Sequence, residues 1–356
     1  MGMGEMQNQN QSTPQRLAAI TLCCACLAYL LALSVAAALL WTVADQWWPV
    51  TVLLFAPRWI LAMPMIVLVP VALAAQRKSL ITLAVAAAVL AWPIMGLHIP
   101  WNNATDSQTP FLRFLTCNTH RGQLDPEAFK SALADMRPDV VALQDWSSEQ
   151  KEGLFERKIW NSRRDGELYF ASRWPISNAK PIHLQEPPPA PFRVRLGAAE
   201  YYRLLTPLGA VSVINVHLAS PHEALQAMRE FDHTSPEQLA YNMRCRDLES
   251  ATIQAFAARL RDPLVILGDF NTPDESVLYR QYWQTFTNAF SAAGFGFGST
   301  HVSSVSSVRI DHILLGNGWA TRNCWLAAPA GSPHRPLVAD LELSTDKQTF
   351  ASDDSP

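Results

Sequence analysis

Charge is nearly absent from the first hundred residues. Between positions 17 and 98 the only charged side chains are Asp45, Arg58, Arg77 and Lys78. Such a composition excludes an ordinary water-facing surface there, and two compositions in one chain imply two solvents. A basic stripe is missing too. Residues 101–356 hold 24 Lys and Arg against 29 Asp and Glu, so the composition contains no strong grip on a nucleic-acid backbone. Cysteine is sparse in this polar part. Cys117, Cys245 and Cys324 form no CxxC pair, which argues against a zinc knuckle and permits one disulfide without predicting it. No serine nucleophile elbow, HExxH, Walker loop or repeat of fixed period occurs.

What the first hundred residues do contain is three apolar runs, at 17–43, 59–75 and 80–97. A bilayer span needs roughly 20 such residues. Trp47, Trp48, Trp59, Trp92 and Trp101 sit near the run ends, as an interfacial aromatic belt would. The most basic short loop, 76–79, belongs in the cytoplasm by the positive-inside rule. Three spans then place everything after Leu97 outside, giving a multi-pass protein of the cell membrane with an extracytoplasmic domain. The expected organisation is a polar tail (1–16), an all-α membrane region (17–98), a linker (99–110), a second domain (111–343) and a disordered polar tail (344–356).

After residue 110, strand and helix patterns alternate. FLRFLTCN (111–118), DVVALQDW (139–146), LYFASRWPI (168–176), LVILGDF (264–270), RIDHILL (309–315), a stretch around 320–328 and PLVADLEL (336–343) read as strands. AEYYRLL (199–205) and AVSVINVHL (210–218) flank a TPLG turn and read as a hairpin. Asp125 caps a helix to about Met136, with Phe129, Leu133 and Met136 at helical spacing. A longer helix covers 236–260, with Leu239, Met243, Leu248, Ile253 and Phe256 facing inward. This order predicts an α/β fold, two mixed sheets packed face to face with helices outside, a four-layer sandwich.

Polar side chains collect at the strand ends. Asn118, Thr119 and His120 end the first strand, Gln144 and Asp145 the second, and Asn215 and His217 the hairpin's return strand. Asp269 and Asn271 follow LVILG and share a face if the extended conformation persists that far. Asp311 and His312 lie in RIDHILL, and His334 precedes the last strand. Gathered at one edge of the sheets, these residues would line a single cleft. A carboxylate among neutral oxygens suits a hard cation such as magnesium. Histidine beside aspartate suits acid–base work, and carboxamides donate to anionic oxygens without adding charge. The substrate this chemistry suits is a phosphate ester attacked by water.

Taken in order, CNTHRG, VVALQD, SRWPI, NVHL, GDFN, RIDHIL and SPHRP resemble the endonuclease/exonuclease/phosphatase superfamily, in a bacterial type with N-terminal membrane helices. The resemblance covers about residues 111–343. It implies the deoxyribonuclease I-like fold and a hydrolase of phosphate esters that depends on Mg2+ or Mn2+. It also implies roles. Asn118 orients the metal's water shell or the phosphate, and Asp145 is the metal carboxylate. His217 bonds a phosphate oxygen or serves the leaving group, with Glu167 as a supporting carboxylate. Asp269 positions or deprotonates water, Asn271 and Asn215 touch the phosphate, and Asp311 orients His334. Arg121 and Arg335 are candidates for phosphate contact or for ordinary surface salt bridges, the second being the expectation for both.

Two departures from the family pattern stand out. The usual metal glutamate is Asp145, one methylene shorter, and the usual Ser-Asp-His motif reads Ser332-Pro333-His334. Pro333 removes an acid and fixes the backbone before His334. The expected protein is a membrane-anchored phosphodiesterase. Its partners are the bilayer, through the N-terminal helices, and a phosphate ester, a lipid headgroup or a nucleic acid; no protein partner is inferable. The alternatives are an extracytoplasmic nuclease and a phosphate-binding homologue whose turnover is impaired by Pro333 and Asp145. Loops 146–166, 183–197 and 219–236 are expected to set selectivity.

Overall fold

A computed structural model describes residues 13–100, 109–147, 154–185, 187–191 and 194–343. Most of the expected N-terminal tail and linker, and all of the tail 344–356, lie outside the described residues.

The apolar region is helical. α1 (Thr13–Val43) is followed by α2 (Trp48–Phe55), a 3-10 turn (Arg58–Ala62) running into α3 (Met63–Ala75), and α4 (Ser79–Val89) passing into a π turn (Leu90–Ile94). Pro14–Val43 and Arg58–Ala75 are long and apolar enough to cross a membrane, whereas Ser79–Ile94 is shorter. Two helices of spanning length thus stand where three spans were expected, because the third helix turns irregular around Pro93. All three helices turn large apolar side chains outward: Leu31 is 65% exposed, Ile66 70% and Ile81 71%. The short α2 was not foreseen, since a stretch this brief between Trp47 and Pro57 carries no spanning signal.

The second region holds β1 (Phe111–Asn118), α5 (Pro126–Met136), β2 (Val140–Gln144), β3 (Asn161–Asp165), β4 (Leu168–Ser172), β5 (Ile176–Pro181), β6 (Ala198–Thr206), β7 (Gly209–His217), α6 (His222–Arg229) and α7 (Ser235–Ala257). It continues with β8 (Leu264–Asp269), α8 (Val277–Tyr282), β9 (Thr287–Asn288), α9 (Ala289–Ala293), β10 (His301–Val302), β11 (Ser307–Val308), β12 (Asp311–Leu315), β13 (Trp319–Leu326) and β14 (Leu337–Leu343). One sheet runs β13-β14-β1-β2-β4-β3 and the other β5-β6-β7-β8-β12-β9. Only β1–β2 and β7–β8 pair in parallel within them. Phe114, Ala142 and Phe170 of the first sheet meet Tyr202, Val213 and Leu267 of the second in a common core. α5 covers the outer face of the first sheet and α7 that of the second, completing the four layers.

Two expectations are corrected. The strand at 168–176 breaks after Ser172 and resumes as β5 in the other sheet, the Trp174-Pro175 corner carrying the chain across. α7 buries Leu239 and Ile253 but leaves Met243, Leu248 and Phe256 only partly covered; its buried face includes Asn242, Arg246, Glu249 and Ser250. The permitted disulfide is absent, all six cysteines being free thiols. Asp125 does cap α5, accepting the Glu127 and Ala128 amides.

Candidate active site

Strand register builds the cleft. His217 pairs with Asp269 across parallel β7 and β8, and Asp269 pairs with Asp311 across antiparallel β8 and β12. Side chains of paired residues project from the same face. Three adjacent strands therefore deliver one imidazole and two carboxylates in a row. The parallel pair of the other sheet brings Asn118 beside Gln144, with Asp145 next in the chain. Together they open on a cleft of about 500 Å³ lined by Asn118, Asp145, His217, Asp269, Asn271 and His334.

Asp269 is the centre of this arrangement. Its Oδ2 accepts the Asn118 amide at 2.8 Å and lies 3.8 Å from both His217 Nε2 and His334 Nε2. Its Oδ1 accepts the Asn271 backbone N–H at 2.9 Å. Asn271 has a φ of +47°, so the strand does not persist to it, and the shared-face expectation is corrected. An Asx-type turn brings Asn271 back into the cleft, its side-chain amide donating to the Leu218 carbonyl at 2.8 Å.

A carboxylate backs each imidazole. His334 Nδ1 meets Asp311 Oδ2 at 2.9 Å, and His217 Nδ1 meets Glu167 Oε1 at 2.6 Å. With Nδ1–H donating, each ring turns Nε2 toward Asp269. Burial opposes a charge on His334, but the Asp311 and Asp269 carboxylates outweigh it, and the imidazole is pushed up to about 9. The same contest, with Glu167 and Asp269 as the anions, raises His217. Burial and neighbouring Asp311 push the Asp269 carboxyl above the usual range.

With this geometry in place, the comparisons with known proteins are decisive on kinship. The sequence profile described as the Endonuclease/Exonuclease/phosphatase family matches residues 115–344. The chain belongs to the endonuclease/exonuclease/phosphatase family. No curated protein sequence matches it. Among solved structures, an endonuclease/exonuclease/phosphatase family protein from Bacteroides thetaiotaomicron is 14% identical, with a TM-score of 0.50, covering 67% of this chain and 100% of that one. The endonuclease/exonuclease/phosphatase from Bacteroides vulgatus is 18% identical, with a TM-score of 0.49, covering 66% and 100%. Sphingomyelinase C from Streptomyces griseocarneus is 18% identical, with a TM-score of 0.44, covering 65% and 99%. At these identities the likeness concerns the fold alone, which is deoxyribonuclease I-like. Members of the family are phosphoric ester hydrolases, usually dependent on a divalent metal.

The donor set fits such a metal. Asp311 Oδ1 is buried with no hydrogen-bond partner among the described residues, and Asp269, Asp311 and His334 present ligand atoms within 4.8 Å of one another. An unpaired buried carboxylate oxygen among other anions suits a hard divalent cation. Asp145, the shortened family carboxylate, has left its strand with a φ of +53°. Its Oδ1 accepts from Arg195 Nη2 at 2.5 Å, and the same nitrogen bonds Glu167. Burial works against the Glu167 anion, but His217 and Arg195 hold its carboxyl below the usual range. Sequence reasoning missed Arg195, because a single arginine in an irregular loop carries no pattern. Glu167, expected as a supporting carboxylate, lies 2.6 Å from His217 Nδ1.

Other expected residues fall outside the cleft or at its rim. Asn215 is corrected. It is fully buried beneath the floor, its amide donating to the carbonyls of Leu143 and Tyr169 and its oxygen accepting from Gln144 at 2.7 Å, so it joins the two sheets rather than reaching a ligand. Arg335 donates to the Ala327 carbonyl, as a structural residue would, whereas Arg121 lines the cleft. His120 turns its backbone N–H to Asn118 Oδ1 at 2.8 Å and so fixes that carboxamide. Where the family has an acid, Pro333 stands between Ser332, which bonds the Asn118 carbonyl at 2.7 Å, and His334.

His312 serves the frame. It is fully buried, its Nε2–H donating to the Thr272 carbonyl at 2.9 Å and its Nδ1 accepting from Asn288 at 3.1 Å. Burial and then Arg309 push it down to about 4, below its ordinary 6.5. A folded pKa below the unfolded one means stability that is complete above pH 6.5 and lost as pH falls through 4. The loss amounts to about 3 kcal/mol. Thermal unfolding of wild type and His312→Gln between pH 7 and pH 4.5 checks this. The variant's deficit is expected to shrink as pH falls; a constant deficit would count against the buried neutral imidazole.

Proposed function

We propose that the protein is a membrane-anchored, metal-dependent hydrolase of phosphate esters and, within that class, a phosphodiesterase. The observation that carries this reading is the pair of carboxylate-backed imidazoles whose Nε2 atoms each lie 3.8 Å from one oxygen of Asp269. Asp269 is the group that takes a proton from the attacking water. His334 and His217, raised above their ordinary pKa, present N–H donors to the phosphoryl oxygens and the leaving group. Asn271 and Asn118 steady the phosphate without adding charge. The unpartnered Asp311 Oδ1 beside Asp269 would hold Mg2+ or Mn2+, which would supply Lewis-acid stabilisation of the phosphoryl charge, whereas the expected metal residues Asp145 and Asn118 are bonded to Arg195 and to Asp269 and His120.

The outward apolar faces of α1, α3 and α4 support anchoring in a bilayer. The Arg77-Lys78 loop follows the end of α3 remote from Arg58, which contacts the catalytic domain, and this supports an extracytoplasmic site. Phe55 of α2 lines the cleft, and the β10–β11 hairpin beside it accepts Trp59 Nε1 at the Val305 carbonyl, 2.9 Å away. A cleft wall shared with membrane segments favours a lipid headgroup over a nucleic acid as the ester. Full-length protein in detergent micelles, assayed on bis(p-nitrophenyl) phosphate and p-nitrophenyl phosphate with Mg2+, Mn2+ or EDTA, tests the reaction class. Metal-dependent turnover faster on the diester is expected. Inactivity on both, relieved by Pro333→Asp, would instead favour the impaired homologue.

A further inference from the structure

Two of the four charges in residues 17–98 are buried, and both point out of the membrane segment. Arg58 Nη1 bonds Glu275 Oε1 at 2.8 Å. Asp45, in the turn after α1, accepts the Ser276 hydroxyl through Oδ2, while its Oδ1 lies 3.6 Å from Arg246 Nη2. Arg246 is fully buried on α7, with its guanidinium carbon 5.9 Å from the Phe55 ring centroid. Its Nη1 donates to the backbone carbonyl of Asn271 at 2.6 Å. Arg246 Nε and Nη2 have no hydrogen-bond partner among the described residues. Glu249, one turn along, directs its carboxylate at the Gly197 and Ala219 amides. Asp45 is therefore the anion on which the buried cation depends.

Asn271 occupies the left-handed backbone region, which asparagine tolerates better than most residues, and two hydrogen bonds fix it there. Asp269 Oδ1 holds its N–H and Arg246 holds its carbonyl, so the turn beside the reacting group is pinned at both ends. We propose that the membrane segment is a working part of the hydrolytic site, with Asp45 holding Arg246 and Arg246 holding the Asn271 turn beside Asp269. The proposal rests on the hydrolase reading for its kinetic consequence. Asp45 and Arg246 are positioning residues on this account, and the domain after residue 110 is incomplete without the helices before it.

The test uses the full chain in detergent micelles. Asp45→Asn removes the charge and keeps the shape, and is expected to lower kcat on bis(p-nitrophenyl) phosphate about 100-fold, with KM changed less than about 3-fold. Arg58→Met with Glu275→Gln removes a neighbouring ion pair from the same junction without touching Asn271, and is expected to keep kcat within about 3-fold of wild type. Combining Asp45→Asn with Arg246→Met is expected to cost no more than the larger single loss, the mark of one shared pathway. Equal losses in both junction variants would reduce the effect to docking and overturn the proposal, as would an unchanged Asp45→Asn. Asp45→Glu, which keeps the charge, serves if Asp45→Asn does not fold. Amide hydrogen exchange at 269–272 gives a readout independent of turnover, with faster exchange expected in Asp45→Asn. If wild type hydrolyses nothing, that failure concerns the function; unaltered exchange would overturn the coupling by itself.

Discussion

Asp269→Asn is expected to keep the fold and to lower kcat for phosphodiester hydrolysis by about 10³-fold. The isosteric amide keeps an oxygen for the Asn271 N–H, so the turn that bond holds survives. The other position becomes an NH2 facing the Asn118 amide and two imidazole nitrogens, where Asp269 Oδ2 now accepts at 2.8 Å and sits 3.8 Å from each ring. The proposed base is lost, and with it an anion that raises both His334 and His217. Single-turnover rates measured beside the thermal midpoint separate chemistry from folding. A rate within tenfold of wild type at an unchanged midpoint would place the base elsewhere. His334→Ala is expected to cost about 10²-fold, the smaller end of what a positioned acid–base group contributes.

The sequence made the strands and their polar ends visible, because alternation and apolar runs are local properties. It did not disclose what aligns those ends. From LVILGDFN alone, Asp269 and Asn271 look like neighbours on one face of a strand, yet Asn271 is turned back by its left-handed backbone. The row His217–Asp269–Asp311 comes from register between three strands, two of them nearly fifty residues or more apart in sequence, and no single segment encodes it. Arg246 and Glu249 show the opposite failure. On a helix they read as the solvent side, but Asp45, Phe55 and the Asn271 carbonyl cover Arg246, so hydrophobic periodicity left these residues out of the interior. The edge strand β3, exposed throughout as NSRRD, has neither alternation nor β-branched residues to announce it. Arg195 is legible only once Asp145 and Glu167 are seen to meet across the cleft mouth.

The other large effect expected is on folding rather than turnover. Gly268 has a φ of +142°, and a Cβ there would lie 1.9 Å from the Val216 carbonyl oxygen. Val216 is its registered partner on β7, and His312 on β12, so the residue has no side on which to yield. Gly268→Ala therefore adds backbone strain of about 1–3 kcal/mol to an overpacking cost of about 1–3 kcal/mol. That is a large part of the roughly 5–15 kcal/mol that stabilises a typical native protein. The comparison is Gly209→Ala, at a φ of +101° in the β6–β7 turn, where a Cβ meets nothing within 4 Å and strain acts alone. Thermal midpoints of the two variants in the same micelles decide the matter, with Gly268→Ala expected to fall much further or to give no folded protein. Equal midpoints would remove the close approach from the account. If folded Gly268→Ala can be isolated, its activity should also be poor, since a side chain between β7 and β8 must spread the strands that set His217 against Asp269.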